Sequence, residues 1–168
     1  MGKSETSKCR ERLEKYCVGN GLDIGYGGDP ITPSSITLDL PSPLSKRGDW
    51  PQNLRGDGRD LYWFRDSVLD YVYSSHVLEE FENTGEVLKE WLRVIKPGGF
   101  LVLYCPDEQV YREWCKLSGQ SYNKRHKIEN FSLEYVKSVI AKLGISCEVV
   151  YERAHVDKYS FELVVRKL

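Results

Sequence analysis

The densest group of residues able to do chemistry is Asp23-Ile24-Gly25-Tyr26-Gly27-Gly28, an acid followed by a glycine-rich turn. Glycine lets backbone approach a ligand closely, and a turn that follows a strand of an α/β sheet lies at the carboxyl edge, where ligands bind. A nicotinamide dinucleotide would also need a further spaced glycine and a helix N-terminus aimed at its pyrophosphate. Here Asp29 and Pro30 follow Gly28, and Pro33 comes soon after, so a regular helix is denied. A dinucleotide is therefore disfavoured, and the segment taken alone is also what a plain structural turn looks like. A second acid, Asp39, sits near the end of the run Ser35–Leu40, either as a ligand-facing carboxylate or as a solvated strand-end acid. His76 and His126 are the candidates to take a proton. Packing at a helix start competes for His76, and His155 reads as a surface or hairpin residue.

These residues need a scaffold. Residues 6–18 place Cys9, Leu13, Tyr16 and Cys17 on one helical face, and Gly19-Asn20-Gly21 ends that run. Leu22–Ile24 predicts a short strand, Ser35–Leu40 a second, and Asn53–Arg55 leads to a third near Gly56. Val68–Ser74 predicts a buried strand. Asn83 and Glu86 resemble a capping box ahead of a helix with Val87, Leu88, Trp91, Leu92 and Ile95 on its apolar face, stopped by Pro97-Gly98-Gly99. Phe100–Cys105 is apolar on both faces, as a central parallel strand is. Ser132 caps another helix, with Leu133, Val136, Val139, Ile140 and Leu143 inward and Gly144 at its end. Ile145–Tyr151 and Tyr159–Arg166 lie too close for a helical crossover and predict an antiparallel edge hairpin. Strands alternating with helices make this an α/β fold with a mostly parallel, Rossmann-like sheet.

Bulk properties narrow the partners. A chain of 168 residues suits one domain, 1–168, with a core large enough to need no staple. A net charge of −1 gives no reason to invoke nucleic acid or an anionic membrane. The longest apolar run, Phe100–Cys105, is too short to span a bilayer, and the polar start Met1–Glu5 lacks an apolar signal core. The five cysteines are scattered without a CxxC, as expected of reduced thiols in a cytoplasmic protein and not of a zinc site, so no metal is expected.

The motifs in order resemble those of class I S-adenosylmethionine (SAM) methyltransferases, especially the small-molecule and sugar branch with the methyltransferase 11-like pattern. The resemblance covers roughly residues 19–168. Leu22–Gly27 resembles the first motif and Ile36–Asp39 the ribose-binding strand. Gly56-Asp57-Gly58-Arg59-Asp60-Leu61 resembles the adenine-side segment. Leu69–Glu79 resembles the fourth-strand motif, and Leu92–Gly99 the motif after the helix. SAM has no phosphate and needs no helix dipole. It carries an ammonium, a sulfonium and a ribose diol, and carboxylates suit two of these: Asp23 near the loop, and Asp39 accepting from the ribose hydroxyls. The resemblance implies Gly25 and Gly27 in the cofactor loop, Asp57 facing the adenine amine, Gly58 offering backbone to the ring and Ser74 lining the cofactor near the methyl. Asp57-Gly58 is also a common turn pair.

The resemblance also implies methyl transfer to a small polar acceptor, with a sugar or glycan-precursor hydroxyl the example we favour. His76 is the first choice of base and His126, in Asn123–Lys127, the second. Tyr111, Trp114 and Tyr122 suit a polar ring or a core equally. Two departures stand out. Asp29 replaces the third glycine, and the helix usual after the glycine loop is lacking. They keep open a second class of function, a SAM-binding or scaffold module of the same fold without turnover. The sheet flank left bare by the missing helix needs other cover: the N-terminal helix, the 41–53 loop with Leu44 and Trp50, or the second subunit of a homodimer. The loop is the cover we expect, ordering when SAM binds.

Overall fold

The computed structural model describes residues 4–41 and 51–168. In chain order the elements are α1 (Glu5–Leu13, continued by a 3₁₀ turn over Glu14–Tyr16), β1 (Gly21–Ile24), β2 (Ile36–Asp39), β3 (Leu54–Arg55), β4 (Leu69–Ser75), α2 (Thr84–Val94), β5 (Ile95–Pro106), α3 (Glu108–Ser118), α4 (Leu133–Lys142), β6 (Cys147–Val156) and β7 (Ser160–Lys167). The strands form one sheet in the order β3-β2-β1-β4-β5-β7-β6. β1 to β5 run parallel, and β7 and β6 form the expected antiparallel edge hairpin. The sheet order reverses between β1 and β4, which opens a crevice at their carboxyl ends. Among the described residues no helix is long and apolar enough to cross a membrane.

Alternation along β4 divides the core. Leu22, Val72, Leu101, Leu103 and Leu163 point to one face and meet Leu88, Trp91 and Leu92 of α2 and Val136 and Ile140 of α4. Tyr71, Tyr73, Val102, Tyr104 and Val164 point to the other face and meet Cys9, Leu13, Cys17 and Ile31. The N-terminal helix α1 therefore covers the flank left by the missing helix. Of the covers expected for that flank, the N-terminal helix is seen there among the described residues, and the favoured 41–53 loop falls largely outside them. Residues 42–50 of that loop, with Leu44 and Trp50, lie outside the described residues. With α1 in place, the flank no longer calls for a second copy of the chain.

Asp29 has a role in this arrangement. It accepts from the capping residue Ser4 of α1, and Arg10 of α1 donates to it at 2.5 Å and to the carbonyls of Pro30 at 3.0 Å and Ile31 at 3.3 Å. The residue standing where a third glycine was expected thus ties the loop to α1.

Three local readings shift. α2 stops at Val94 because Ile95 already pairs with Leu69, so β5 carries the Pro97-Gly98-Gly99 bend within it. Asn83 precedes α2, but its side chain makes no capping bond, and the capping box is not formed. The segment after β5 contains a full helix, α3, with Asp107 accepting from Val110 N at 3.2 Å and Gly119 ending it at φ +69°.

Leu13, the last residue of α1, is fully buried, whereas Val18 beyond it is 72% exposed. We expect Leu13→Ala to cost about 2–5 kcal/mol and Val18→Ala less than about 0.5 kcal/mol, measured by urea unfolding. Equal small losses would show that α1 is not part of the core.

Candidate active site

The glycine turn leaves β1 at the crevice. Gly25, Gly27 and Gly28 all have positive φ, at 73°, 58° and 89°. A side chain at Gly25 would also collide with Val77, whose Cγ2 lies 2.2 Å from an added Cβ, whereas an added Cβ at Gly27 would meet only the Gly25 carbonyl oxygen, at 3.9 Å. Asp23 turns toward the α1 face and away from the cleft. Its Oδ2 accepts from Ile31 N at 2.7 Å, while Oδ1 is buried without a hydrogen-bond partner. Burial pushes this carboxyl up to about 8, against the hydrogen bond from Ile31, which favours ionisation.

A cleft of about 240 Å³ opens beside the turn, and Gly25, Gly27, Asp39, Asp57, Gly58 and His76 are on its walls. Asp39, at the end of β2, accepts from Gly27 N at 3.3 Å and Leu40 N at 2.8 Å. Each oxygen therefore has a lone pair left over. Burial raises this carboxyl, and the two backbone donors partly offset it. Ile24, Leu40, Val77 and Phe81 give the cleft apolar surface. Gly58 is pinned from behind by Trp91, whose Nε1 donates to its carbonyl at 2.7 Å, and an added Cβ would meet Ile24 Cγ2 at 2.5 Å.

The remaining expected residues stand differently. Asp57 lines the cleft, but its carboxylate is already gripped by Arg59, whose Nε lies 3.0 and 2.9 Å from the two oxygens. That pairing holds Asp57 below its ordinary pKa. Ser74 is fully buried, donates to Ile24 O at 3.1 Å and does not line the cleft. His76, at φ +53°, ends β4 in a conformation uncommon for a residue with a side chain. Its Nε2 lies 3.2 Å from Ser160 Oγ and 3.4 Å from Glu5 Oε2. Burial, with help from Lys8 and His126, lowers the imidazole to about 3. A neutral imidazole in these contacts is a weak proton acceptor. His126 is buried beside it rather than presented by an open loop. Its Nδ1 lies 2.7 Å from Glu108 Oε2, and its ring packs 5.0 Å from that of Tyr111.

The structure adds residues that sequence reasoning missed. Phe81, Glu80 and Arg125 line the cleft, with Arg125 Nη1 3.8 Å from Glu80 Oε2. Glu79 and Glu108 are fully buried beside the two histidines. Glu79 lay within the quoted fourth-strand motif and Glu108 directly after a capping acid, yet nothing in their spacing signalled burial.

Residues 31–103 match the model of a methyltransferase domain, a span that begins just after the glycine turn. A demethylmenaquinone methyltransferase of Streptomyces griseus is 31% identical over 94 residues, 52% of this chain and 40% of that protein. The chain is thus similar to methyltransferases in sequence over part of its length. An uncharacterized protein of Methanocaldococcus jannaschii, MJ1123, is 28% identical over 150 residues, 84% of this chain and 70% of its own. A SAM-dependent methyltransferase of Archaeoglobus fulgidus shares the fold, with a TM-score of 0.69 at 18% identity over 96% of this chain and 94% of that one.

Two outcomes follow from the loop of this domain. Gly25→Ala meets both a positive φ and Val77, and should cost more than the roughly 1–2 kcal/mol of a left-handed residue alone. Gly27→Ala meets only the positive φ, so thermal melts should rank Gly25→Ala below Gly27→Ala, and the reverse order would contradict the packing. The raised carboxyl of Asp23 means that the folded state binds its proton more tightly than the unfolded state, whose Asp titrates near about 3.9. The group therefore lowers stability progressively as pH rises from about 4 to about 8, and no further above that. Asp23→Asn, which can still accept from Ile31, should gain on the wild type across that window in urea unfolding. A pH-independent difference would refute an uncompensated buried carboxyl.

Proposed function

We propose that SAM lies in the cleft at the ends of β1, β2 and β4, and that residues 1–168, acting as one domain, pass its methyl group to a hydroxyl of a small polar acceptor. The observation that carries this reading is Asp39. It is a half-buried carboxylate at the point where the strand order reverses, with one lone pair per oxygen left for a ribose diol. When bound, SAM supplies an electrophilic methyl on its sulfonium.

The chain's own residues fit that cofactor in kind. Phe81 and Leu40 offer apolar surface for the adenine. The Gly25–Gly28 turn lets backbone come close to the amino-acid end, and Asp23 steadies the loop behind it while keeping Oδ1 unpaired. Asp57 must release Arg59 before it can accept from the adenine amine. Ser74 acts by holding the end of β1, not by direct contact. The acceptor end of the cleft is polar, with His76, Glu80 and Arg125, and behind it stand Tyr111, Tyr122 and Tyr159. Aromatic rings mixed with hydrogen-bonding groups suit a polar ring such as a sugar. All five cysteines are free, four of them buried, which supports a reducing compartment such as the cytoplasm.

Asp39→Ala should weaken binding of S-adenosylhomocysteine by about 1.5–3 kcal/mol, the scale of charge-assisted hydrogen bonds, in a calorimetric titration. An unchanged dissociation constant would remove Asp39 from the site. Transfer of labelled methyl to a panel of sugars and other small hydroxyl compounds tests the acceptor class, and labelling confined to amines or thiols would overturn it.

A further inference from the structure

At the acceptor end of the cleft stands a guanidinium that the fold holds only loosely. Arg125 lines the cleft, and its side chain is 65% exposed. Among the described residues its ion-pair partner is Glu80, whose Oε2 lies 3.8 Å from Nη1. That gap is beyond hydrogen-bond reach, and an exposed pair of this kind contributes about 0–1 kcal/mol. The planar fork of N–H donors is therefore available at the cleft wall. Arg59, beside the same cleft, differs: its fork is already closed on the Asp57 carboxylate.

The backbone around Arg125 is fixed even though its side chain is not. Arg125 N–H donates to Asn123 Oδ1 at 3.1 Å, and Asn123 N–H donates to Tyr111 OH at 3.2 Å. The next residue, His126, has a buried side chain with Nδ1 2.7 Å from Glu108 Oε2. Lys127 N–H donates to the carbonyl of Glu79 at 2.9 Å. The chain on both sides of Arg125 is thus tied to buried groups while the guanidinium stays outside. A ligand that takes the fork does not also have to order the loop.

The charges of the cleft sort by end. Asp39 stands beside the glycine turn, and Asp57 is held by Arg59. His76 is uncharged, because burial lowers its imidazole to about 3. Glu80 and Arg125 remain at the acceptor end, and the exposed Lys124 and Lys127 flank Arg125 on the same loop. One acid against three bases leaves this end positive, which draws anions toward it.

We propose that Arg125 is a specificity-determining residue that takes a carboxylate or phosphate group of the acceptor in a two-point hydrogen bond. The acceptor is then a hydroxyl compound that also carries an anion, such as a sugar acid or a sugar phosphate. This inference rests on the reading of the cleft as a methyl-transfer site. Carboxylate and phosphate share the geometry that a guanidinium fork matches, whereas a lysine offers only a point charge. The anion displaces Glu80 at little cost, given the weakness of that pair. At an exposed rim it also keeps much of its hydration, so the desolvation penalty of a buried ion pair does not arise.

The test uses the full chain saturated with S-adenosylhomocysteine and titrated in a calorimeter with sugars that share one ring: glucose, glucosamine, glucuronate and glucose 6-phosphate. The two anionic sugars should bind roughly 10-fold more tightly than glucose, the scale of one charge-assisted hydrogen bond. Added salt should narrow that difference. Arg125→Gln should bring the anionic sugars level with glucose, and Arg125→Lys should restore only part of the difference. The anionic sugar that loses more affinity in Arg125→Gln identifies the group that the fork takes. Tighter binding of glucose or glucosamine than of both anions, an unchanged preference in Arg125→Gln, or no saturable binding of either anion would overturn the inference. Arg125 is exposed, so the variants should melt as the wild type does, which circular dichroism checks. Titrating S-adenosylhomocysteine alone keeps this inference separate from the cofactor reading. Its uptake without a preference for anions defeats only the role of Arg125. An Arg125-dependent preference in a chain that does not take it up defeats only the cofactor placement.

Discussion

Three tyrosines on one face of the sheet set the conditions that the rest of the structure meets. Tyr71, Tyr73 and Tyr104 are fully buried, and a buried phenol must find a partner for its hydroxyl. Tyr71 OH lies 2.8 Å from Ser35 Oγ and 3.2 Å from Thr32 Oγ1, in the loop that replaces the missing helix. Tyr73 OH meets Thr6 and Cys9 of α1, both at 3.2 Å. Tyr104 OH donates to Asp157, in the turn of the edge hairpin, at 2.7 Å. A purely aliphatic face would accept any apolar cover. This face accepts only cover that brings hydroxyls or carboxylates to three particular points, which selects α1, the proline loop and the hairpin turn together.

The cleft inherits its shape from that arrangement. Asp23 sits on the tyrosine face and holds Ile31. Asp29 is held by Ser4 and Arg10 of α1. The glycine turn is therefore stretched between β1 and a loop anchored on α1, with no helix of its own behind it. On the other side, Gln52 donates to the carbonyls of Asp39 at 2.6 Å and Leu54 at 2.9 Å, and Asn53 bonds Thr37, so β2 and β3 end at a fixed level. The ligand-facing residues lie on short strand ends and turns, and their precision comes from these second contacts.

Much of this was legible in the chain. The apolar run of β5, the faces of α2 and α4, the Ser132 cap and the edge hairpin depend on local period and turn chemistry, and the structure reproduces them. The order of glycine turn, Asp39 and Asp57 placed the cleft. What was not legible depends on contacts far apart in sequence. Nothing local marks Asp29 as the partner of Arg10, 19 residues away. The end of α2 was misplaced because pairing of Ile95 with Leu69 overrides the helical period. α3 was not legible because its mixed aromatic and polar residues between the capping Asp107 and the terminal Gly119 suit a ligand-facing segment as well as a packed helix. Glu79 and Glu108 are acids of a kind normally found at the surface, and only the assembled fold shows that they are inside.

A structure of the full chain with S-adenosylhomocysteine tests the central assignment most directly. The ribose hydroxyls should donate to the two oxygens of Asp39, with the adenine against Phe81 and Leu40 and the amino-acid end over the Gly25–Gly28 turn. A ligand bound elsewhere, or a ribose that leaves Asp39 to its two backbone donors alone, would contradict it.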